Sequence, residues 1–235
     1  MIARGVAAAL LATMLCAEAS AAAPAGPIGR SAEGRPIPLR VRGDAQAARV
    51  TALVVGCTHG DECAGRAVVD RLARLPLPAG VRLLLVRNLN PDGSARRTRV
   101  NARGVDLNRN SSRGWRRSLP GTPTYGGPRP FSEPEARAVR DLILRERPAL
   151  IVWYHQPLAL VDVPFGRPAR ASWRYARRTG LPVRDLGGRP GSLSDWANGL
   201  RGAGPSFVVE LPAGPLGAGA ARRHARAVLA EAAGT

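Results

Sequence analysis

Three polar side chains in this 235-residue chain have the types and positions of metal ligands. His59 and Glu62 lie three residues apart in VVGCTHGDECAG, a spacing that places an imidazole and a carboxylate on the same side of a helical turn. His155 directly follows the apolar run ALIVWY. Two His and one Glu would leave Zn²⁺ an open coordination position, which is typical of a catalytic rather than a structural site.

Each of these residues also has an ordinary structural interpretation. His59 could be a surface residue beside a capping Glu62, and His155 could be a core histidine that bonds to backbone. The third histidine of the chain, His224, lies among Arg residues near the C-terminus, so we expect it on a solvated face.

A candidate base for a metal-activated water is Glu210, in the apolar segment SFVVELPAG. A carboxylate at the end of a buried strand is costly to desolvate unless it has a function. The alternative is an ion pair between Glu210 and one of the many Arg residues.

The apolar patterns predict the elements that must position these residues. Strands are predicted at residues 50–56, 81–86, 149–154 and 207–211, and helices at 62–75, 133–145, 169–179 and 218–233. Ser132 and Glu135 are predicted to form a capping box at the second helix, and Gly180 is predicted to end the third. Alternating strands and helices favour an α/β fold: a single-domain α/β/α sandwich with a mixed, largely parallel central sheet. Function is then expected at the carboxyl ends of the strands.

Residues 1–23 have the pattern of a secretory signal peptide, with Arg4 before an apolar run and small residues after it. The run is shorter than the roughly 20 residues that span a bilayer, so no stable membrane insertion is expected. A membrane anchor or a buried helix is the alternative. We therefore predict a catalytic domain over residues 24–235 and a secreted or cell-envelope location.

The composition is strongly basic, with a formal net charge of +18 that comes from Arg, since the chain has no Lys. Such a charge attracts polyanions. The exported location favours an anionic cell-wall polymer over nucleic acid as the partner. An apolar content of 45% excludes wholesale disorder.

Several further motifs occur in a fixed order between His59 and Glu210. They are HGDE, NPDG, TR, GVDLNRN, GGPRPFSEPEARAV, a strand-terminal His and a strand-borne Glu. This series resembles the zinc metallocarboxypeptidase family and covers most of the chain that follows the predicted signal peptide. The resemblance implies a carboxypeptidase-like fold and a peptide substrate with a free carboxylate.

The resemblance also implies a role for each matching residue. His59, Glu62 and His155 would bind one Zn²⁺ per chain, Glu210 would be the general base, and Asp106 would orient His59 from the outer shell.

Three further residues would contact the substrate. Asn108 and Arg109 would hold its carboxylate, because a guanidinium can make a bidentate pair. Arg99 would polarise the scissile carbonyl. Arg97 is the less suitable neighbour, since Arg99 matches the TR position of compact members.

The sequence departs from the digestive members of the family in one segment. Those members carry a Tyr before a Gly-Ser-x-Asp-Trp segment, whereas here GSLSDW follows residues 184–190, which contain no Tyr. The substrate clamp must therefore differ. The short chain is similar to the compact bacterial murein peptide amidase branch, which cuts the γ-D-glutamyl to diaminopimelate bond of cell-wall peptides.

Cys57 and Cys63 flank the first two candidate ligands. In an exported chain a disulfide that braces this loop is plausible, and two free buried thiols are the alternative. Thiolate ligation of zinc is less favoured, because three ligands are already available.

We therefore predict a secreted zinc-dependent peptidase or amidase that hydrolyses a peptide bond next to a carboxylate-bearing residue in cell-wall (murein) peptides. Two alternatives stay open. One is a zinc N-acyl amino acid deacylase of the desuccinylase type, and the other is a non-catalytic, Arg-rich module that binds wall polymers.

Overall fold

The computed structural model describes residues 24–234. The predicted signal peptide, residues 1–23, lies outside the described residues. In the described part of the chain, no helix is both long and apolar enough to cross a bilayer.

Within residues 24–234, eight strands form one mixed sheet in the order β1-β2-β4-β3-β5-β8-β6-β7. Their bounds are Pro24–Arg30 (β1), Pro36–Arg42 (β2), Val50–Val55 (β3), Val81–Val86 (β4), Leu150–His155 (β5), Leu158–Asp162 (β6), Val183–Arg184 (β7) and Ser206–Pro212 (β8). The four central strands β4, β3, β5 and β8 are parallel, whereas β2 and β6 pair with them in the antiparallel sense. The predicted mixed, largely parallel sheet is confirmed.

The described residues also form six α-helices and one 3₁₀ turn, and all of these except the last helix lie between strands. Their bounds are Gly65–Leu72 (α1), Pro91–Arg96 (α2), Leu107–Arg109 (the 3₁₀ turn), Pro134–Glu146 (α3), Arg170–Thr179 (α4), Leu193–Asn198 (α5) and Ala218–Ala233 (α6).

Helices cover both faces of the sheet. One apolar core joins α1, α4 and α6 to the face that carries Ala52 and Val54, and the other joins α3 and α5 to the face that carries Leu53 and Val55. Central strands that are buried on both faces explain the continuous apolar runs in the sequence. The three-layer α/β/α sandwich is confirmed.

Helix α1 starts at Gly65 rather than at the predicted Glu62. A Cβ on Gly65 would lie 2.3 Å from the Cβ of Tyr154, so the chain enters the helix through a close contact with β5. The Ala64 amide donates to the side chain of Gln156 instead of to a helical carbonyl. Glu62 therefore lies in the turn before the helix, where its amide donates to the His59 carbonyl at 3.1 Å.

The predicted capping box at α3 is wrong. Glu133 is the N-cap residue and makes no side-chain capping bond, and Ser132 donates instead to the Glu133 carboxylate. Glu135 accepts from the Ala32 amide and from the Asn101 side chain. These distant buried donors compete successfully with the local pattern. Pro134 at the first helical position also has no amide hydrogen that would need a cap.

The predicted exposure of His224 is also wrong. This residue is only 3% exposed, because α6 packs its His224 side against α1 and α4. Its Nδ1 atom lies 2.7 Å from the hydroxyl of Tyr175, which lies 2.8 Å from the hydroxyl of Tyr154. The Arg residues beside His224 in sequence are on the outer side of the helix, and they concealed this buried polar contact.

Candidate active site

The three predicted metal ligands converge at the carboxyl edge of the sheet. His59 follows β3 and His155 ends β5, and these two strands are parallel neighbours. Glu62 reaches the same point from the turn before α1. The Nδ1 atoms of the two histidines are 3.1 Å apart, and the Glu62 Oε2 atom lies 2.8 Å from His59 Nδ1 and 3.0 Å from His155 Nδ1.

This donor set fits a zinc ion. Zinc bonds of about 2.0–2.2 Å at tetrahedral angles require ligand atoms about 3.3 Å apart, close to the separations between these three atoms. Both histidines are nearly fully buried, and each directs Nδ1 at the common point. The three ligands leave one tetrahedral position for water or substrate.

The pKa shifts of two ligands, Glu62 and His155, suit a cation, whereas the pKa of His59, which burial alone would lower, is raised by its contacts with Asp106 and Glu62. Burial alone would raise the pKa of Glu62, but the adjacent imidazoles of His155 and His59 hold that pKa well below its usual range. Burial lowers the pKa of His155, which favours the neutral imidazole that binds metals.

Asp106 fixes the orientation of His59 from behind. Its Oδ1 atom accepts from His59 Nε2 at 3.0 Å and from the Asn108 amide at 2.8 Å. Burial would raise the pKa of Asp106, but the bond with His59 and the charges of Arg99 and Arg109 lower it to about 2. The ionised carboxylate therefore holds Nε2 as the protonated nitrogen and leaves Nδ1 free for a metal.

Arg99 links Asp106 to the ligand Glu62. It donates from Nε and Nη2 to Asp106 Oδ2 at 3.1 and 2.9 Å, and from Nη1 to Glu62 Oε1 at 2.8 Å. The loop that carries Arg99 is braced by Asn101, which donates to both Glu133 and Glu135. The SEPE motif thus supports the site from a distance.

Glu210 lies beside His155, because β8 pairs with β5 in a register that aligns the two residues. It is 6% exposed, and its buried Oε2 atom has no hydrogen-bond partner within residues 24–234. Within residues 24–234, Glu210 does not form the ion pair with Arg that was the alternative to a catalytic role. A buried polar atom left without a partner is destabilising, which indicates a functional position.

A cavity of about 220 Å³ joins these groups. The remaining predicted residues, Asn108 and Arg109, lie in its wall together with Arg99 and Glu210. Asn108 is held by the Leu193 amide, which donates to its Oδ1 atom at 3.0 Å. The structure therefore gathers every sequence-predicted candidate of the site around one cavity or directly behind it.

Two polar residues of the cavity wall, Gln156 and Arg189, were not predicted from the sequence. Gln156 directly follows His155, and a position just past a strand end could have indicated it. Arg189 lies in the segment 184–190, which contains no Tyr, and nothing in the local pattern distinguishes it from the other Arg residues of the chain.

Cys57 and Cys63 form a disulfide in the structure, with Cα atoms 4.6 Å apart. The bond closes the turn that carries His59 and Glu62. Each sulfur is bonded to the other, so the candidate ligand set is His, Glu and His.

Comparison with protein families gives an independent match. Residues 17–177, more than half of the chain, match the model of the zinc carboxypeptidase family. The chain is 34% identical over 171 residues to murein peptide amidase A of Escherichia coli (strain K12), a match that covers 66% of this chain and 69% of the relative. It is 33% identical over 202 residues to murein peptide amidase A of Vibrio campbellii, with 78% and 77% covered.

Solved structures show the same fold. A crystal structure of murein-tripeptide amidase from Escherichia coli O157 superposes with a TM-score of 0.69 at 29% identity and covers 87% of this chain and 89% of that one. Carboxypeptidase A from Helicoverpa armigera superposes with a TM-score of 0.78 at 20% identity and covers 91% and 68%. The predicted carboxypeptidase-like architecture is thereby confirmed.

Proposed function

The chain belongs to the zinc carboxypeptidase family, and we propose that it is a zinc-dependent amidase that hydrolyses the amide bond next to a carboxylate-bearing residue in murein peptides. One observation carries the proposal: the three candidate metal ligands His59, Glu62 and His155 lie beside Glu210, whose buried Oε2 atom has no partner in residues 24–234. The similarity to two murein peptide amidases supports the substrate class.

The proposed mechanism assigns the metal to His59, Glu62 and His155. Zinc bound there supplies Lewis-acid activation of a water and of a carbonyl oxygen. Asp106 keeps His59 in the tautomer that binds the metal, and the ionised Glu62 balances part of the ion's charge.

Glu210 is the proposed general base. Its unpartnered Oε2 atom accepts the proton of the attacking water and then delivers that proton to the nitrogen of the leaving amine. Because no Arg within residues 24–234 pairs with it, this oxygen is available to the attacking water.

Three cavity residues orient the substrate in this proposal. Asn108 and Arg109 hold a free carboxylate of the residue on the leaving side, and Arg99 offers its positive charge to the carbonyl oxygen as negative charge develops there.

The proposed setting is the cell envelope. Residues 1–23 would direct export as a signal peptide, and the net charge of +18 would concentrate the enzyme on an anionic wall polymer. A non-catalytic, wall-binding module would have no need for the buried, unpartnered carboxylate of Glu210 beside the metal cluster.

The test is hydrolysis of a γ-D-glutamyl-diaminopimelate peptide, with N-succinylglutamate as the rival substrate. We expect the zinc-loaded protein to cleave the peptide and a chelator to abolish the cleavage. Turnover of the acyl amino acid alone would instead identify a deacylase.

A Glu210→Gln variant tests the proposed base. We expect peptide turnover to fall by about 10²–10⁴-fold while zinc stays bound, because the amide cannot accept a proton. Asp141→Asn, which removes an exposed carboxylate on α3, is the matched control and should leave turnover unchanged. Full activity of Glu210→Gln would remove Glu210 from the mechanism.

A further inference from the structure

A second cavity adjoins the active-site cavity at Arg189. The first cavity is lined by the candidate metal ligands and by Arg109. The second cavity has a volume of about 280 Å³ and is lined by residues of the loop that follows Arg109 and by Asp195 of α5. Arg189 is in the wall of both cavities and therefore borders both spaces.

The guanidinium of Arg189 makes no direct ion pair within residues 24–234, although the carboxylates of Asp162 and Asp195 lie near enough to interact with its charge. The Arg189 side chain is half-buried, and within the same residues its guanidinium donates no hydrogen bond. It is close to Arg109, whose pKa is lowered chiefly by burial and further by the charges of Arg99 and Arg189, against the opposing charge of Asp106. Two guanidinium groups in one small cavity favour an anionic ligand, since each can make charge-assisted bonds to a carboxylate.

The backbone holds Arg189 firmly in this place. Its amide donates to Asp195 Oδ2 at 2.7 Å, and the neighbouring Gly191 exchanges backbone bonds with Arg113 and Ser111. Gly191 has φ +74°, and a Cβ there would lie 2.0 Å from the Arg109 carbonyl oxygen. The segment that carries Arg189 is thus fixed against the loop that carries Arg109, so little ordering of the backbone is needed on binding.

The second cavity is itself positively charged. It is lined by three guanidinium groups, those of Arg113, Arg116 and Arg189, against the single carboxylate of Asp195. Arg113 lies 5.2 Å above the ring of Phe165, which fixes its position. A side chain that leaves the active-site cavity past Arg189 therefore enters a space with an excess of cationic donors.

We propose that Arg189 is a specificity-determining residue that binds a second carboxylate, one carried by the side chain of the substrate residue whose own free carboxylate is held by Asn108 and Arg109. This inference rests on the proposed function. The two guanidinium groups match the two carboxylates, and the second cavity holds the distal end of the side chain. In this position Arg189 would bind the substrate from the segment in which the digestive members of the family carry a Tyr.

The test compares two peptides that differ only in one charge. One ends in 2-aminopimelate, whose side chain carries a carboxylate, and the other ends in its side-chain monoamide. We expect the wild-type enzyme to prefer the carboxylate by at least about tenfold in kcat/KM, the order expected for one charge-assisted hydrogen bond. Arg189→Gln should abolish this preference and leave kcat/KM for the amide within about twofold.

Arg177→Gln is the matched control, because it removes one exposed positive charge on α4, outside the lining of both cavities. It should keep the preference, and Arg189→Lys should restore part of it. The inference is overturned if the wild type does not distinguish the peptides, or if Arg189→Gln slows both by the same factor.

A binding measurement separates this inference from the proposed function. Calorimetry with free 2-aminopimelate and its monoamide reports on Arg189 without turnover. If the wild type cleaves neither peptide yet binds the dicarboxylate in preference, and Arg189→Gln does not, the proposed function fails and the assignment of Arg189 stands. Equal binding of both compounds by the wild type would overturn the assignment.

Discussion

At the scale of single residues, Asp106 connects three parts of the site. Its carboxylate accepts hydrogen bonds from the candidate metal ligand His59, from the candidate oxyanion donor Arg99, and from the backbone amide of Asn108. A change at Asp106 should therefore affect metal binding before it affects the fold.

Asp106→Asn is expected to weaken zinc binding by about 10–100-fold, because loss of an outer-shell carboxylate frees the ligand imidazole to rotate or to change tautomer. Zinc affinity measured by competition with a chelator checks this. Asp141→Asn should leave the affinity unchanged. An affinity equal to wild type in Asp106→Asn would show that His59 does not depend on this contact.

His224 gives the second prediction at this scale, a loss of stability in acid. Burial, and then the charge of Arg223, lowers the pKa of His224 to about 4 in the folded protein. The unfolded chain therefore takes up the proton first, at about pH 6.5. The contribution of His224 is absent above that pH and becomes increasingly unfavourable as the pH falls towards 4, on the order of 3 kcal/mol in total.

His224→Gln, which cannot titrate but can still bond to Tyr175, should reduce the loss of unfolding free energy between pH 6.5 and 4. Urea unfolding of both proteins across this range measures the difference. Parallel stability curves for the variant and the wild type would mean that His224 is not held neutral in the folded state.

At the scale of elements, close backbone contacts hold the ligand loop. Gly60 lies between the ligands His59 and Glu62, and a Cβ there would lie 2.0 Å from the carbonyl carbon of Gly93, in helix α2. The HGDE and NPDG motifs therefore pack directly against each other, with Gly60 of the first in contact with Gly93 of the second.

Gly60→Ala should consequently destabilise the fold and reduce zinc content, because backbone atoms rather than a flexible side chain would have to move. Gly219→Ala is the matched control, since nothing lies within 4 Å of a Cβ at this exposed position of α6. It should leave zinc content unchanged and raise stability by up to about 1 kcal/mol. Thermal unfolding and metal analysis of the two variants test the contrast, and equal behaviour would contradict it.

The elements also show what the sequence could and could not predict. The central strands were predictable because both of their faces are buried, so their apolar runs are continuous. The capping box at Ser132 and the exposure of His224 were predicted wrongly, because both depended on local pattern while distant partners, Asn101 and Tyr175, determined the contacts. Arg189 was missed because its importance follows from a cavity, which only the folded chain creates.

At the scale of the whole molecule, the sheet brings together residues that are distant in the chain. The ordered motifs allowed the metal ligands, Asp106 and Glu210 to be selected from the sequence. The separations of the ligand atoms and the unpartnered Oε2 atom of Glu210 became visible only in the structure.

The net charge of +18 supplies a prediction for the whole molecule. Binding to an anionic wall polymer should weaken steeply as salt rises from low to physiological concentration, because the Debye length shortens to about 8 Å. Turnover of a small peptide, which depends on contacts within the cavity, should change far less. Cosedimentation with purified wall and a peptide assay at matched salt concentrations compare the two, and a salt-independent association would contradict the electrostatic explanation.

The measurement that tests the central claim most directly is a crystal structure of the zinc-loaded protein with anomalous scattering data on both sides of the zinc absorption edge. The account predicts one zinc peak per chain, within about 2.2 Å of the Nδ1 atoms of His59 and His155 and of a Glu62 carboxylate oxygen. The same peak should be absent in His155→Ala. Zinc bound elsewhere, or no zinc at these three side chains in the wild type, would contradict the assignment of this site as the catalytic centre.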